Sequence, residues 1–243
     1  MCALRACYYY SFYFFIFDKF FPSICCTGFN RAANSWEELV KEDSQDNIVS
    51  PMRGVIALII DDFGYRNDHI SNGFLELPGN LTYAIIPGHD YSQSFSKKAY
   101  DAGYEIVVHM PMENIGKTYG EEEYVLMSYF QENEIKERIN KSFSHLPEAV
   151  GLNNHQGSRG TADARIMTIL ANEIKANKKF FVDSRTTRNS LAESTMRKYG
   201  VPTNKRDIFL DNDLDEEKIR TQMLKLADVA ERRGIAIGIG HVK

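Results

Sequence analysis

The chain has no cysteine beyond Cys26: its four, Cys2, Cys7, Cys25 and Cys26, all fall in the leading segment. The body therefore has no disulfide framework and no thiolate metal site, and any ion bound there must be held by His, Asp or Glu. That shortage does not fix the compartment, because a protein that needs no bridge can work on either side of a membrane. A basic surplus is missing too, with 29 Lys and Arg against 33 Asp and Glu for a formal charge of −4. With no cationic surface to neutralise phosphates, nucleic acid is excluded as a partner. The apolar run Ala6–Phe17 is cut off by Asp18 and Lys19, too short to cross a bilayer, so no stable membrane span is expected. Its length and the preceding Arg5 match the core of a secretory signal, which predicts an extracytoplasmic protein, in the periplasm, the envelope or the medium.

What is present divides the chain into residues 1–52, a leader of possible signal or anchor type plus a polar linker closing at Ser50-Pro51, and a single domain over 53–243. From Arg53 onward, short β-branched or aromatic runs alternate with polar, helix-forming segments, the pattern of repeated βα units and a parallel sheet. Strands are expected at 55–60, 81–86, 104–108, 149–152, 179–182, 207–210 and 235–239. Helices are expected near 68–76, 92–102, 131–144, 161–177, 188–199 and from Asp213 or Asp215 to a stop at Gly234. The fold class is α/β, a seven-stranded parallel (β/α) barrel. The chain stops at Lys243, soon after its last strand, so the helix over that strand is expected to be missing and its outer face bare.

The first strand, Val55-Ile-Ala-Leu-Ile-Ile60, runs straight into Asp61 and Asp62. Six of the seven strands finish in Asp or His, at Asp61 and Asp62, His109, His155, Asp183, Asp211 and His241. A random scatter of polar residues would not respect strand direction, and the carboxyl-terminal rim is where α/β barrels keep their chemistry. Imidazole and carboxylate together are the ligand set of zinc and similar divalent ions. Arg159 and Arg185, which also follow strand ends, are read either as binding an oxyanion or charged sugar group or as ion-pair partners of Asp183. The loop from Glu113 to Phe130 offers Tyr119, Tyr124 and Tyr129 as rings that could stack on sugar or simply pack a lid. His69, His89 and His145 are read as solvated or capping residues, with a rim contact as the alternative for His89.

Ile60-Asp-Asp-Phe-Gly64 and Ala102-Gly-Tyr-Glu-Ile-Val-Val-His109 resemble the first two motifs of metal-dependent polysaccharide deacetylases of the NodB-homology fold. His109-Met-Pro-Met-Glu113, Asn154-His-Gln-Gly-Ser-Arg159, Phe181-Val-Asp-Ser-Arg185 and Gly238-Ile-Gly-His241 are closer to the divergent branch of that family. The resemblance implies Asp61 as general base, Asp62 and His109 as metal ligands, and His241 as general acid. Where the family's second motif carries another metal-binding His, this chain has Glu113. The third ligand is then either Glu113 or His155, and His155 is favoured because strand-end side chains of a barrel converge on its axis. Glu113, Arg159, Asp183 and Arg185 are left as substrate-binding or supporting residues. The implied cofactor is a divalent ion, zinc first, and the implied activity is removal of acetyl from an N- or O-acetylated glycan. A catalytically silent glycan- or envelope-binding protein on the same fold, or a glycosidase using two rim carboxylates, are the alternatives.

Overall fold

A computed structural model describes residues 25–26, 54–118 and 120–243. Apart from a two-residue strand β1 (Cys25–Cys26), parallel to Val55–Ile56, the leader and linker lie outside the described residues. The body strands are β2 (Val55–Phe63), β3 (Thr82–Ile85), β4 (Glu105–Met112), β5 (Gly151–Gln156), β6 (Phe180–Asp183), β7 (Thr203–Lys205), β8 (Ile208–Phe209) and β9 (Ile235–His241). Helices α1 (His69–Gly73), α2 (Ser92–Asp101), α3 (Glu132–His145), α4 (Ala164–Ala176), α5 (Ala192–Tyr199) and α6 (Glu216–Arg233) alternate with them. Every pairing is parallel, in the order β7-β6-β5-β4-β3-β2-β9-β8, so the sheet curls into the expected barrel. No helix among the described residues is long and apolar enough to cross a membrane.

The expected sixth strand, 207–210, is reduced to the two-residue β8, and β7, which was not expected, precedes it; together they complete the ring. Thr203–Lys205 pairs with β6, Arg206 N still donates to Asp183 O at 2.9 Å, and then Asp207 N donates to Ile237 O at 2.9 Å and Ile208–Phe209 pairs with β9. One short stretch of chain therefore changes partner between Arg206 and Asp207. The Asp207 carboxylate accepts from Ile237 N at 2.9 Å, occupying a donor that the break would leave open.

Period-two alternation sorts side chains into two cores. Ile56, Leu58, Ile60, Ile106, Val108, Met110, Leu152 and Phe181 face outward into the layer shared with the helices. Ala57, Ile59, Ala84, Val107, Val182, Ile237 and Ile239 face inward and fill the barrel. The helices supply the matching stripe: in α4, Ile166, Met167, Ile169, Leu170 and Ile174 are all buried, at the spacing of one helical face, and Asp163 caps the first turn through Arg165 N and Ile166 N.

The bare outer face expected for β9 is not found. β9 is followed only by Val242 and Lys243, but α6 lies across it, and a Cβ built on Gly238 would meet Leu226 Cδ2 at 2.5 Å. Ala236 is 1% exposed and Val242 is 7% exposed. Since β8 spans only two residues, the helix that follows it covers β9 as well. That helix starts at Asp215, which accepts from Lys218 N at 3.1 Å, and ends at Gly234, whose φ of 82° needs a residue without Cβ.

Candidate metal and acid–base site

Above the apolar fill, the next inward layer is polar. Asp61 pairs in register with His241, and His109 with Asn153, so the period that sends Ile59, Val107 and Ile239 into the barrel sends these groups to its mouth. β4 and β5 run past the apolar stretches that suggested them, to Met112 and Gln156, placing His109 and His155 within strands rather than beyond their ends.

Adjacent residues of a regular strand face opposite ways, so Asp61 and Asp62 could not both reach the mouth without a break. The break is a bulge. Ile60 pairs with Tyr83 and Phe63 with Ile85, three steps on β2 against two on β3, and Asp62 takes the extra position with φ 70°. Aspartate is among the few non-glycine residues that tolerate this backbone.

Asp62, His109 and His155 present one donor atom each, and the three atoms lie within 4.8 Å of one another. Asp62 Oδ1 is 3.3 Å from His109 Nε2 and 3.2 Å from His155 Nδ1, yet it is buried and makes no aligned hydrogen bond among the described residues. Burial alone would raise the Asp62 pKa, but the two imidazoles outweigh it and hold the carboxyl well below the usual carboxylate range. Two imidazole nitrogens converging on a carboxylate oxygen with no aligned hydrogen bond of its own suit a small cation.

His109 is oriented from behind. Its Nδ1 lies 2.7 Å from Asn153 Oδ1, while Asn153 Nδ2 donates to Asp61 Oδ1 at 2.8 Å. A carboxylate can only accept, so the amide must turn its NH₂ to Asp61 and its oxygen to His109, whose Nδ1 therefore carries hydrogen. In the neutral ring this leaves the Nε2 lone pair for a ligand. Burial pushes His109 down, but Asp61 and Asp62 win and lift it to about 9. Asp61, 1% exposed, is raised by burial despite His109 and His241.

His241 has a different partner. Asp211 accepts from both its backbone N, at 2.9 Å, and its Nδ1, at 2.8 Å. Burial lowers the imidazole pKa, and Asp211 overrides it to give a net rise; Asp211 itself is lowered by His241 against its own burial. With Nδ1 committed, Nε2 is the nitrogen left to exchange a proton.

Asn153 and Asp211 were not singled out from sequence as site residues. Asn153 had a usable signal, standing two positions before His155 and hence on the same strand face. Asp211 had none for its role, because its partner is 30 residues away on a neighbouring strand.

The remaining rim residues lie elsewhere. Glu113 is outside the donor cluster; its Oε2 accepts from Ser128 N at 2.6 Å and its Oε1 lies 3.5 Å from Arg159 Nε, so it staples the 113–130 loop to the segment after β5. Asp183 accepts from Arg185 N at 2.8 Å and Ser190 Oγ at 2.7 Å, shaping the turn after β6. The Arg185 guanidinium makes no ion pair with it. His89 and Tyr65 both engage Glu121 of the loop, at 3.0 and 2.5 Å, and their rings meet at a 45° tilt with centroids 3.9 Å apart. Tyr124 packs on Gly88, Tyr129 is 69% exposed, and Tyr119 lies outside the described residues.

Comparison with known proteins bears on the family and the fold. The chain is 34% identical over 190 residues to the uncharacterized protein YibQ of Escherichia coli strain K12, an alignment covering 78% of this chain and 59% of that protein. An uncharacterized protein of Haemophilus influenzae is also 34% identical, over 188 residues, covering 76% of this chain and 66% of the relative. The chain thus spans about three fifths to two thirds of the length of these relatives. The crystal structure of an uncharacterized protein from Agrobacterium tumefaciens C58 superposes with a TM-score of 0.73 at 21% identity, covering 77% of each chain, and shares the fold. The sequence profile of the divergent polysaccharide deacetylases matches residues 58–243, from the middle of β2 through the last residue, and on that match the chain belongs to this family.

Proposed function

We propose that the protein is a metal-dependent hydrolase that removes acetyl groups from an N- or O-acetylated glycan. The observation that carries this reading is Asp62 Oδ1, buried without an aligned hydrogen bond and faced by His109 Nε2 and His155 Nδ1. Two imidazoles and one carboxylate are a donor set for zinc, and they are fewer ligands than a closed structural site uses. When bound, the ion supplies Lewis-acid polarisation of the acetyl carbonyl and acidifies water.

The chain's own groups divide the proton work. Asp61, oriented by the Asn153 amide and raised by burial, is placed to take a proton from the attacking water. His241, held at Nδ1 by Asp211, is placed to deliver a proton from Nε2 to the departing amine or alkoxide. The apolar layer below keeps bulk water from the floor, which strengthens each of these charge contacts. An envelope or extracellular glycan as substrate would place the enzyme outside the cytoplasm.

The test is metal content and acetate release on the same preparation. Purified protein should contain about one divalent ion per chain, zinc foremost, and release acetate from acetylated chito-oligosaccharides in a chelator-sensitive, zinc-restored manner. Full acetate release from metal-stripped protein would refute the reading.

A further inference from the structure

The 203–209 segment that completes the barrel also brings two arginines together beside His241. Arg206 is clasped, with Nε donating to Ser184 O at 2.7 Å and Nη2 to Arg185 O at 3.0 Å, and its guanidinium lies 3.5 Å from the centroid of the Phe209 ring. The Phe209 ring is in turn 5.5 Å from that of His241. Arg185 holds φ 51°, a backbone that long side chains avoid, imposed by its N–H on the Asp183 carboxylate and its carbonyl on Arg206.

No carboxylate reaches ion-pair distance of either guanidinium among the described residues, and the Arg185 guanidinium makes no hydrogen bond there. Burial and the like charge of Arg185 lower Arg206 to about 10, against the pull of the Asp183, Asp61 and Asp207 carboxylates, which stand beyond ion-pair distance. Ser184, the residue before Arg185 and the one whose carbonyl Arg206 holds, is 2% exposed with an Oγ that has no partner among the described residues. It stands two positions beyond the inward-facing Val182. Two neighbouring cations with no carboxylate at ion-pair distance, beside a residue whose buried hydroxyl lacks a partner, suit an anion that accepts from them.

We propose that Arg185, Arg206 and Ser184 form an anion-binding subsite beside His241, and that its ligand is a carboxylate carried on the glycan substrate. This deepens the deacetylase reading and rests on it: the preferred sugar is an acetylated amino sugar with a carboxylate on a neighbouring substituent. A planar guanidinium fork suits a carboxylate in two-point contact. The position next to the general acid puts that carboxylate close to the bond being cleaved and turns the subsite into a selector of acidic over neutral chains.

The experiment is a calorimetric titration of the metal-loaded full chain with an acetylated amino sugar bearing an O-linked carboxylate, its methyl ester, and free acetate, with acetate release followed in parallel. The acid should bind at least about tenfold more tightly than the ester, and the ratio should shrink with added salt. Arg185→Asn keeps a residue that tolerates the left-handed backbone and should bring acid and ester to within about twofold. If the acid is selected but no acetyl is released, the subsite stands and the deacetylase reading falls. If acid and ester bind alike while acetyl is released, the reverse holds. Free acetate binding as tightly as the acid sugar would overturn the substrate assignment in favour of a product site, and binding of none of the three would overturn both readings.

Discussion

His109 and His241 stand in the same layer of one barrel, both acting on the same buried Asp61, yet their surroundings differ, and the proposed function gives them opposite tasks. His109 has a neutral amide behind it, and His241 has a carboxylate. The amide of Asn153 fixes a tautomer without adding charge, which leaves Nε2 as a donor to a cation. The carboxylate of Asp211 stabilises the imidazolium, which keeps a proton available for delivery. The residue type is the same, and on the proposed function the partner from another strand decides between ligand and acid.

The comparison is broken most severely by removing the ligand half. His109→Ala should abolish stoichiometric metal binding, read by elemental analysis, and with it acetate release; retention of wild-type metal content would put the ion elsewhere. Next in size, Asp61→Asn should keep the metal and lower the rate by roughly 10²–10⁴-fold, the span expected for a positioned general base. Loss of metal instead would make Asp61 the ligand.

Asn153→Ala tests the amide alone. Without it His109 loses its orientation, and zinc affinity measured by competition with a chelator should fall roughly 10–100-fold, as for other partners that sit behind a ligand. An unchanged affinity would show that the strand by itself aligns the ring.

The smallest effect belongs to the acid half. Asp211 raises His241, so Asp211→Asn should move the alkaline limb of the pH–rate profile to lower pH while metal content stays the same. The stability sign follows from the same shifts. The raised His241 contributes below its unfolded value of 6.5 and loses that contribution as pH rises through its folded value. The lowered Asp211 contributes above 3.8 and loses that as pH falls through its own folded value. Asp211→Asn should therefore depress the melting temperature more near pH 5.5 than near pH 9. An equal depression at both would mean the pair acts through packing and not through charge.

Much of the scaffold was legible from residues. The unbroken run Val55–Ile60 announces a strand covered on both faces, and its inward and outward sets follow from a period of two. Gly234 as a stop and Asp215 as a cap are local chemistry, decided by a few neighbouring atoms. Strand lengths were less legible: β4 and β5 extend through polar residues because each finds its hydrogen bonds on the next strand, information that an apolar pattern does not carry.

What the sequence determined by itself is the set of chemical groups and the direction they face: Asp61, His109, His155 and His241 toward carboxyl ends, with no thiol after Cys26 to compete for a metal. What only the tertiary structure decided is how those groups are paired. The bulge at Asp62 that brings two adjacent aspartates to one mouth depends on register with β3, and the bridge from His109 through Asn153 to Asp61 spans three strands. So does the split closing segment, which bonds β6 with one half and β9 with the other. These contacts join residues up to 92 positions apart. Their energies arise in a buried layer of low dielectric that exists only once the barrel has closed, so no local pattern in the chain can encode them separately.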